Sequence, residues 1–382
     1  MPYSRVNEID LLRFIAALAV VFFHYAFRGY AADGLSAMPY PWLAPAAKYG
    51  YLGANLFFII SGFVILMTAE QGSLRRFLVS RAVRLYPAFW ACCTLTFVLI
   101  LLLGAPRYHA TFPQYLANMT MLSGFAGVDW IDGSYWTLFV EVKFYALVCA
   151  VLVFRQMRHV HLLLGGWLLL SLLGEYWPNK YLRYFLIVDY AVYFIAGATC
   201  FLVWSRGLSA ARIVILLLCW ALALFQSAKA VAGMNLHYGA GRDSQVMDSA
   251  VSGALITVFF VVMLLVALRA TGAFGRARWA LAGALTYPLY LIHQSAGYIV
   301  FNLAYPAVNA HLLLWGTFAL MLLVAYAVHV QVERRFSPAL KQALDRFAEN
   351  AGRARLRLQA GLRTRIRARS RARAGLGTKT SR

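Results

Sequence analysis

Charged side chains are scarce in this chain. Asp, Glu, Lys and Arg make up 13% of its 382 residues, while 62% are hydrophobic and the mean hydropathy is +0.65. A soluble domain carries about a quarter charged residues. A compact soluble fold of this size cannot hide so much apolar surface, and disorder needs the opposite composition. Carboxylates are the scarcest of all, 14 against 36 Lys and Arg. The five cysteines (Cys92, Cys93, Cys149, Cys200, Cys219) sit inside apolar runs without metal-type spacing. They imply neither a zinc site nor a disulfide framework, and read as small buried hydrophobes. A G-x-S-x-G elbow in a hydrolase context is missing, as is a candidate nucleophilic cysteine, so those two routes to acyl chemistry are excluded. No repeat of fixed period is visible.

What is present is a series of apolar runs near the length of a membrane-spanning helix. About ten are expected, at 8–27, 50–68, 84–104, 135–154, 160–174, 184–203, 212–230, 247–268, 280–302 and 310–331. The fold class is therefore all-α, a polytopic transmembrane helical bundle. The first run opens with Glu8, Asp10 and Arg13 and is followed by no small-residue cleavage site, so it reads as a retained helix. One alternate set of short connections carries twelve Arg, among them Arg75, Arg76, Arg81 and Arg84. The opposite set carries seven Lys and Arg over longer loops. By the positive-inside rule both termini are expected in the cytoplasm. The excess charge is largely a tail: fifteen of the 36 basic residues lie in 334–382, against Asp345 and Glu349. Residues 1–335 read as the membrane domain and 336–382 as a basic, disordered cytoplasmic tail, able to attract anionic lipid or nucleic acid without specificity.

Ionisable groups within membrane spans are costly and mark function by default. Arg13, His24, Glu141, Lys143, Asp189 and His293 are the informative ones. Eleven steps of about 100° bring Arg13 and His24 to one helix face, with a rise of about 16 Å between them. One groove is thus lined by a cation near its inner end and an imidazole near its outer end. Snorkelling for the Arg and an interhelical hydrogen bond for the His are the bland alternatives. Glu141 and Tyr145, four apart, share a face. The depths of His24, Glu141 and His293 allow them to converge, and a His–Glu pair can hold an imidazole as a general base. Arg81 and Arg84 stand just before the third span, suited to an anionic group such as phosphate or simply to setting topology. Pro87 is expected at a helix start. Ser61 and Gly62, in FFIISGF, permit close approach by a ligand or a helix. The outer loop at 105–134 places Trp130 and Trp136 beside Asp129 and Asp132. That is either a sugar-binding surface or an interfacial aromatic belt.

Taken together, these segments resemble the membrane-bound acyltransferase 3 family. The features are Arg13 and His24 with ten residues between them, FFIISGF (57–63), RAVRLYP (81–87), SYWTLFVEVKFY (134–145) and YPLYLIH (287–293), in family order over residues ~5–335. The resemblance implies transfer of an acyl group, most often acetyl, from cytoplasmic coenzyme A to a hydroxyl of an envelope glycan or its lipid-linked precursor. It also implies a bacterial inner-membrane location. Peptidoglycan, exopolysaccharides, signalling oligosaccharides and macrolides are other acceptors in the family. By matching position His24 is the catalytic residue and Arg13 its partner. Arg81 and Arg84 match the donor-associated pair, Glu141, Trp136 and Tyr145 the fourth-helix motif, and His293 the late histidine. The Arg-rich stretch at 353–373 is outside the pattern.

The expected mechanism has His24 as base, or as acyl carrier, with Glu141 orienting it. Arg81, Arg84 and Arg13, with Ser61 and Tyr145, bind acetyl-coenzyme A. Trp136, His293, Asp132 and Trp130 face the acceptor. The expected partners are membrane lipid, the acyl donor and the glycan. No metal and no specific nucleic acid are expected, and a homo-oligomer is left open. Two other readings share the apolar body: a transporter or flippase for a lipid-linked sugar, and a non-catalytic envelope scaffold. The first typically shows paired broken helices in two related halves, which this chain lacks.

Overall fold

The computed structural model describes residues 5–177, 179–238, 246–350 and 353. Ten long helices carry the described chain. α1 spans Asn7–Phe23 and continues as a π-helical stretch, His24–Ala32. α2 (Gly53–Glu70) and α3 (Leu74–Leu103) follow. Then come α4 (Trp136–Val153), α5 (Val160–Tyr176) and α6 (Val188–Arg206). α7 (Ala210–Tyr238), α8 (Ser249–Ala267), α9 (Ala280–Ala304) and α10 (Ala310–Val328) complete the set. No strand occurs among the described residues.

Nine helical stretches among the described residues are long and apolar enough to cross a membrane. α9 is not one of them, although its 25 residues reach about 38 Å at 1.5 Å each, longer than a ~30 Å hydrocarbon core. It is too polar, because it carries Tyr287, Tyr290, His293, Gln294 and Ser295. The fold removes these groups from lipid: every residue from Thr286 to Ile299 is buried. α1, α3 and α10 pack around α9, while α2, α5, α7 and α8 pack around α6. The two groups meet through α1 against α2. Leucines such as Leu102, Leu162, Leu312 and Leu323 stay exposed on the outside, the face a bilayer covers.

The α2–α6 crossing depends on two glycines. A Cβ on Gly62 would collide with the Phe194 carbonyl, and one on Gly197 with the Ile59 carbonyl. With no driving force between apolar helices in lipid beyond packing and hydrogen bonding, such backbone approach supplies the contact.

Three expectations are corrected. α3 begins at Leu74, capped by Ser73, whose hydroxyl accepts from the Arg76 amide. Arg81 and Arg84 therefore sit on the helix and not ahead of it. Pro87 is inside α3 and not at its start. Proline leaves the carbonyl four residues back without its helical partner, and the Ser337 hydroxyl donates to that carbonyl, Val83 O, at 3.3 Å. Ser337 belongs to the third correction. The chain after α10 passes through a π-helical stretch, His329–Glu333, and stays helical to Asn350. The first part of the supposed disordered tail is thus helical, fastened to α3 by Ser337 and by Arg75 with Asp345 (3.1 Å) and Glu349 (3.7 Å). The remainder of the tail, 351–382 apart from Arg353, lies outside the described residues.

Replacing Gly197 by Val should cost about 3 kcal/mol through overpacking. Gly316→Ala, where a Cβ meets nothing within 4 Å, should leave the thermal midpoint unchanged or raise it. Thermal unfolding of the detergent-solubilised protein checks both.

Candidate active site

Arg13 on α1 and Arg84 on α3 connect two cavities. The larger, ≈ 540 Å³, opens at the end of the bundle where α1 begins, and Arg5, Asp10, Gly283 and His329 help to line it. The smaller, ≈ 80 Å³, lies deeper between Ser61, Arg81, Thr137, Glu141, Tyr145 and Tyr290. Arg13 and Arg84 line both. Arg5 is paired with Asp10 at 2.6 Å. Neither Arg13 nor Arg84 has a carboxylate partner among the described residues, and Arg84 lies 6.0 Å from the centre of the Tyr287 ring. Arg81 donates to Ser80 (3.0 Å) and Thr68 (3.3 Å) and keeps Nε buried without a partner. Three guanidinium groups thus face one carboxylate, leaving the chamber net positive. Uncompensated cations inside a membrane bundle mark an anion pathway.

Glu141 is held on the chamber wall. Its Oε1 accepts from the Ser61 hydroxyl at 2.9 Å and from the Tyr145 hydroxyl at 2.8 Å. This bond ties α4 to α2 and takes up the shared face of Glu141 and Tyr145. It also differs from the sequence reading, in which Glu141 orients His24.

The orienting neighbour of His24 is His293. His24 opens the π-helical stretch and is 5% exposed; His293 is fully buried in α9. A π-helical turn re-aims side chains relative to an α-helix and recurs at functional sites. His293 Nδ1 lies 2.8 Å from Tyr290 O, and His24 Nδ1 lies 2.9 Å from Val20 O. A carbonyl only accepts, so each Nδ1 carries hydrogen. His293 Nε2 then holds a lone pair toward His24 Nδ1, 3.1 Å away. The same assignment leaves a lone pair on His24 Nε2, the atom a general base needs. The Tyr25 hydroxyl donates to His293 O at 2.8 Å and fixes α9 from the other side.

The remaining candidates are dispersed. Asp132 is fully buried and not on an outer surface. Its Oδ1 accepts from the amide (2.9 Å) and hydroxyl (2.6 Å) of Ser134, and its Oδ2 accepts from the Ser295 amide at 2.8 Å. It thereby pins the turn before α4 to α9, two residues past His293. Trp136 packs on Phe58 and Tyr190, ring centres 6.2 Å and 5.4 Å away. Trp130 is 37% exposed beside Phe139. Lys143 donates to Tyr184 O at 3.1 Å, and Asp189 pairs with Arg183. Thr137 and Tyr290 were not anticipated. Their hydroxyls bond at 2.9 Å, and Tyr290 joins the chamber to His293 through its own carbonyl. The spacing of Tyr287, Tyr290 and His293, one helical turn at each step, was the signal available for it. Among the described residues no group of three or more His, Cys, Asp or Glu is placed to hold a metal ion.

Comparison with known proteins identifies the family of the chain. Residues 6–330 match a family model described as an acyltransferase domain. The chain is 27% identical over 193 residues to a protein named nodulation protein 10 from Rhizobium leguminosarum bv. viciae, covering 43% of this chain and 50% of that one. It is 28% identical over 193 residues to a protein named O-acetyl transferase from Shigella phage Sf6, covering 46% and 55%. The chain thus spans about half the length of these curated relatives. No solved structure matches it.

The Asp132 bonds predict a structural role. Asp132→Ala strips three donors of their acceptor and should lower stability by about 3 kcal/mol, read as a fall in thermal midpoint. Trp130→Ala should change the midpoint little.

Proposed function

Because the chain belongs to the acyltransferase 3 family, we propose that it transfers an acyl group, acetyl by preference, from acyl-coenzyme A to a hydroxyl of an envelope glycan or its lipid-linked precursor. The observation that carries this reading is the pair of cavities joined at Arg13 and Arg84, the inner of which reaches Tyr290, one turn of α9 before His293 and its partner His24. The relative named an O-acetyl transferase supports acetyl. Helices apolar enough to span a membrane make it a multi-pass membrane protein. We assign it to a bacterial inner membrane, with the vestibule at the cytoplasmic face.

The residues fit such a donor. Its phosphates are anionic, and Arg13, Arg81 and Arg84 are cations aimed into connected space; guanidinium groups bind phosphate by charge-assisted bonds. Ser61 and Tyr145 line the narrow chamber that an unbranched arm would follow, and Glu141 positions both hydroxyls. The donor supplies an acyl group activated as a thioester. His24 Nε2 takes the proton from the acceptor hydroxyl as its oxygen attacks the acyl carbon. His293 accepts the hydrogen on His24 Nδ1 and holds the imidazole in the tautomer that leaves Nε2 basic. His24 then returns the proton to the departing sulfur, so the base is regenerated each cycle.

The test is coenzyme A release by purified protein given acetyl-coenzyme A and an envelope glycan extract. Release should be lost in His24→Ala with the fold intact. Arg84→Gln should raise the donor KM about tenfold, the scale of one charge-assisted bond. Near-native release by His24→Ala, or no donor binding by the native protein, would overturn the scheme.

A further inference from the structure

α9 runs from the vestibule past the chamber to the histidine pair. Gly283 and Ala284 face the vestibule; Thr286, Tyr287 and Tyr290 face the chamber; His293 meets His24. Five residues on, about 7.5 Å further along the axis, comes Tyr298. It is fully buried, and its hydroxyl has no hydrogen-bond partner. Its ring centre stands 6.3 Å from that of His24. The hydroxyl end of the ring lies against the π-helical stretch. A Cβ on Gly29 would be 2.5 Å from Tyr298 Cε1 and 2.7 Å from Cζ. Tyr25 is as deeply buried and differs in one respect, since its hydroxyl is bonded to His293 O. Tyr108 also has a buried hydroxyl without a partner, in a loop that Arg107 ties to Gly34 O at 2.9 Å.

Buried hydroxyls are almost always bonded, and one left without a partner costs stability. Phenylalanine would fill the Tyr298 site without that cost. The hydroxyl is therefore best explained by a partner that arrives with substrate. The donor chamber lies on the opposite side of His293 along α9, which leaves the acceptor. We infer that the Tyr298 hydroxyl binds a hydroxyl of the acceptor adjacent to the one that reacts, so that the acceptor is a polyol read beside His24 from the side away from the chamber. This inference rests on the acyl-transfer reading. Tyr298 keeps its own proton throughout; the proton of the reacting hydroxyl goes to His24. A site built to bond a particular hydroxyl discriminates strongly against acceptors that lack it.

The experiment compares native protein with Tyr298→Phe, using acetyl-coenzyme A and an envelope glycan extract freed of its esters by mild alkali. The half-saturating amount of extract should rise about tenfold, with the donor KM within twofold of native. The thermal midpoint should be unchanged or higher, because an unpaired polar group has been removed; a purely structural tyrosine would lower it. Half-saturation within twofold of native would overturn the inference and leave the acyl-transfer reading standing. So would a loss of activity that follows a fallen midpoint. Absence of any transfer by the native protein would overturn both.

Discussion

A hydrocarbon bilayer offers no hydrogen bonds, so a helix as polar as α9 can cross it only inside a sheath of other helices. That requirement organises the molecule. The apolar helices α1, α3 and α10 enclose α9, and their leucines meet lipid in its place. The polar side chains that make α9 a poor lipid-facing helix then fall along one internal line: Thr286, Tyr287 and Tyr290, then His293. Each is satisfied by a neighbour or left facing a cavity. Where the line meets α1, the neighbour is His24. The site is therefore where the fold must be least like a membrane interior.

The two imidazoles illustrate how few atoms settle the chemistry. Backbone carbonyls of Val20 and Tyr290 fix the hydrogens on the two Nδ1 atoms, and the ring–ring bond follows without a carboxylate. In a buried setting a carboxylate beside His24 would bring a second desolvated charge. Glu141 is placed elsewhere, among the arginines, where its charge offsets theirs while Ser61 and Tyr145 bond to it. Three arginines are thus gathered at the vestibule and chamber, while the carboxylate near His293 is Asp132, held by Ser134 and by the Ser295 amide.

Much of this was legible in the sequence. Apolar runs announced the long helices, because a bilayer imposes one length, but not the start of α3 at Leu74 or the end of α7 at Tyr238, which lie outside the runs. The shared face of Arg13 and His24, and of Glu141 and Tyr145, followed from helical period. The convergence of Arg13, Ser61, Arg81, Arg84, Glu141 and Tyr145 on one chamber was reachable only through the motifs as a set. What escaped was decided by contacts between distant segments. Depth along the helices allowed His24 and His293 to meet, as they do, but nothing local to His24 reveals that α1 becomes π-helical there. Asp132, set between Trp130 and Ser134, read as a loop residue open to ligand, yet it satisfies the amide of Ser295 on α9 as well as that of Ser134. Pro87 read as a helix start because local propensity cannot foresee Ser337.

That last contact links the site to a part of the chain beyond the family match, which ends at residue 330. A proline within α3 frees Val83 O, one residue before Arg84, and a serine on the helix that follows α10 occupies it. Two turns further out, Arg75 holds Asp345 and Glu349. The basic end of α3 is held by Phe77, buried against Tyr145 of α4 with ring centres 6.1 Å apart, and by the C-terminal helix, which runs antiparallel alongside. Arg81 and Arg84 are therefore carried on a helix fixed at both ends: by α9 within the bundle and by the C-terminal helix outside it. A guanidinium group that binds an anion gains from such bracing, since an ordered backbone leaves only its own rotamers to settle on binding.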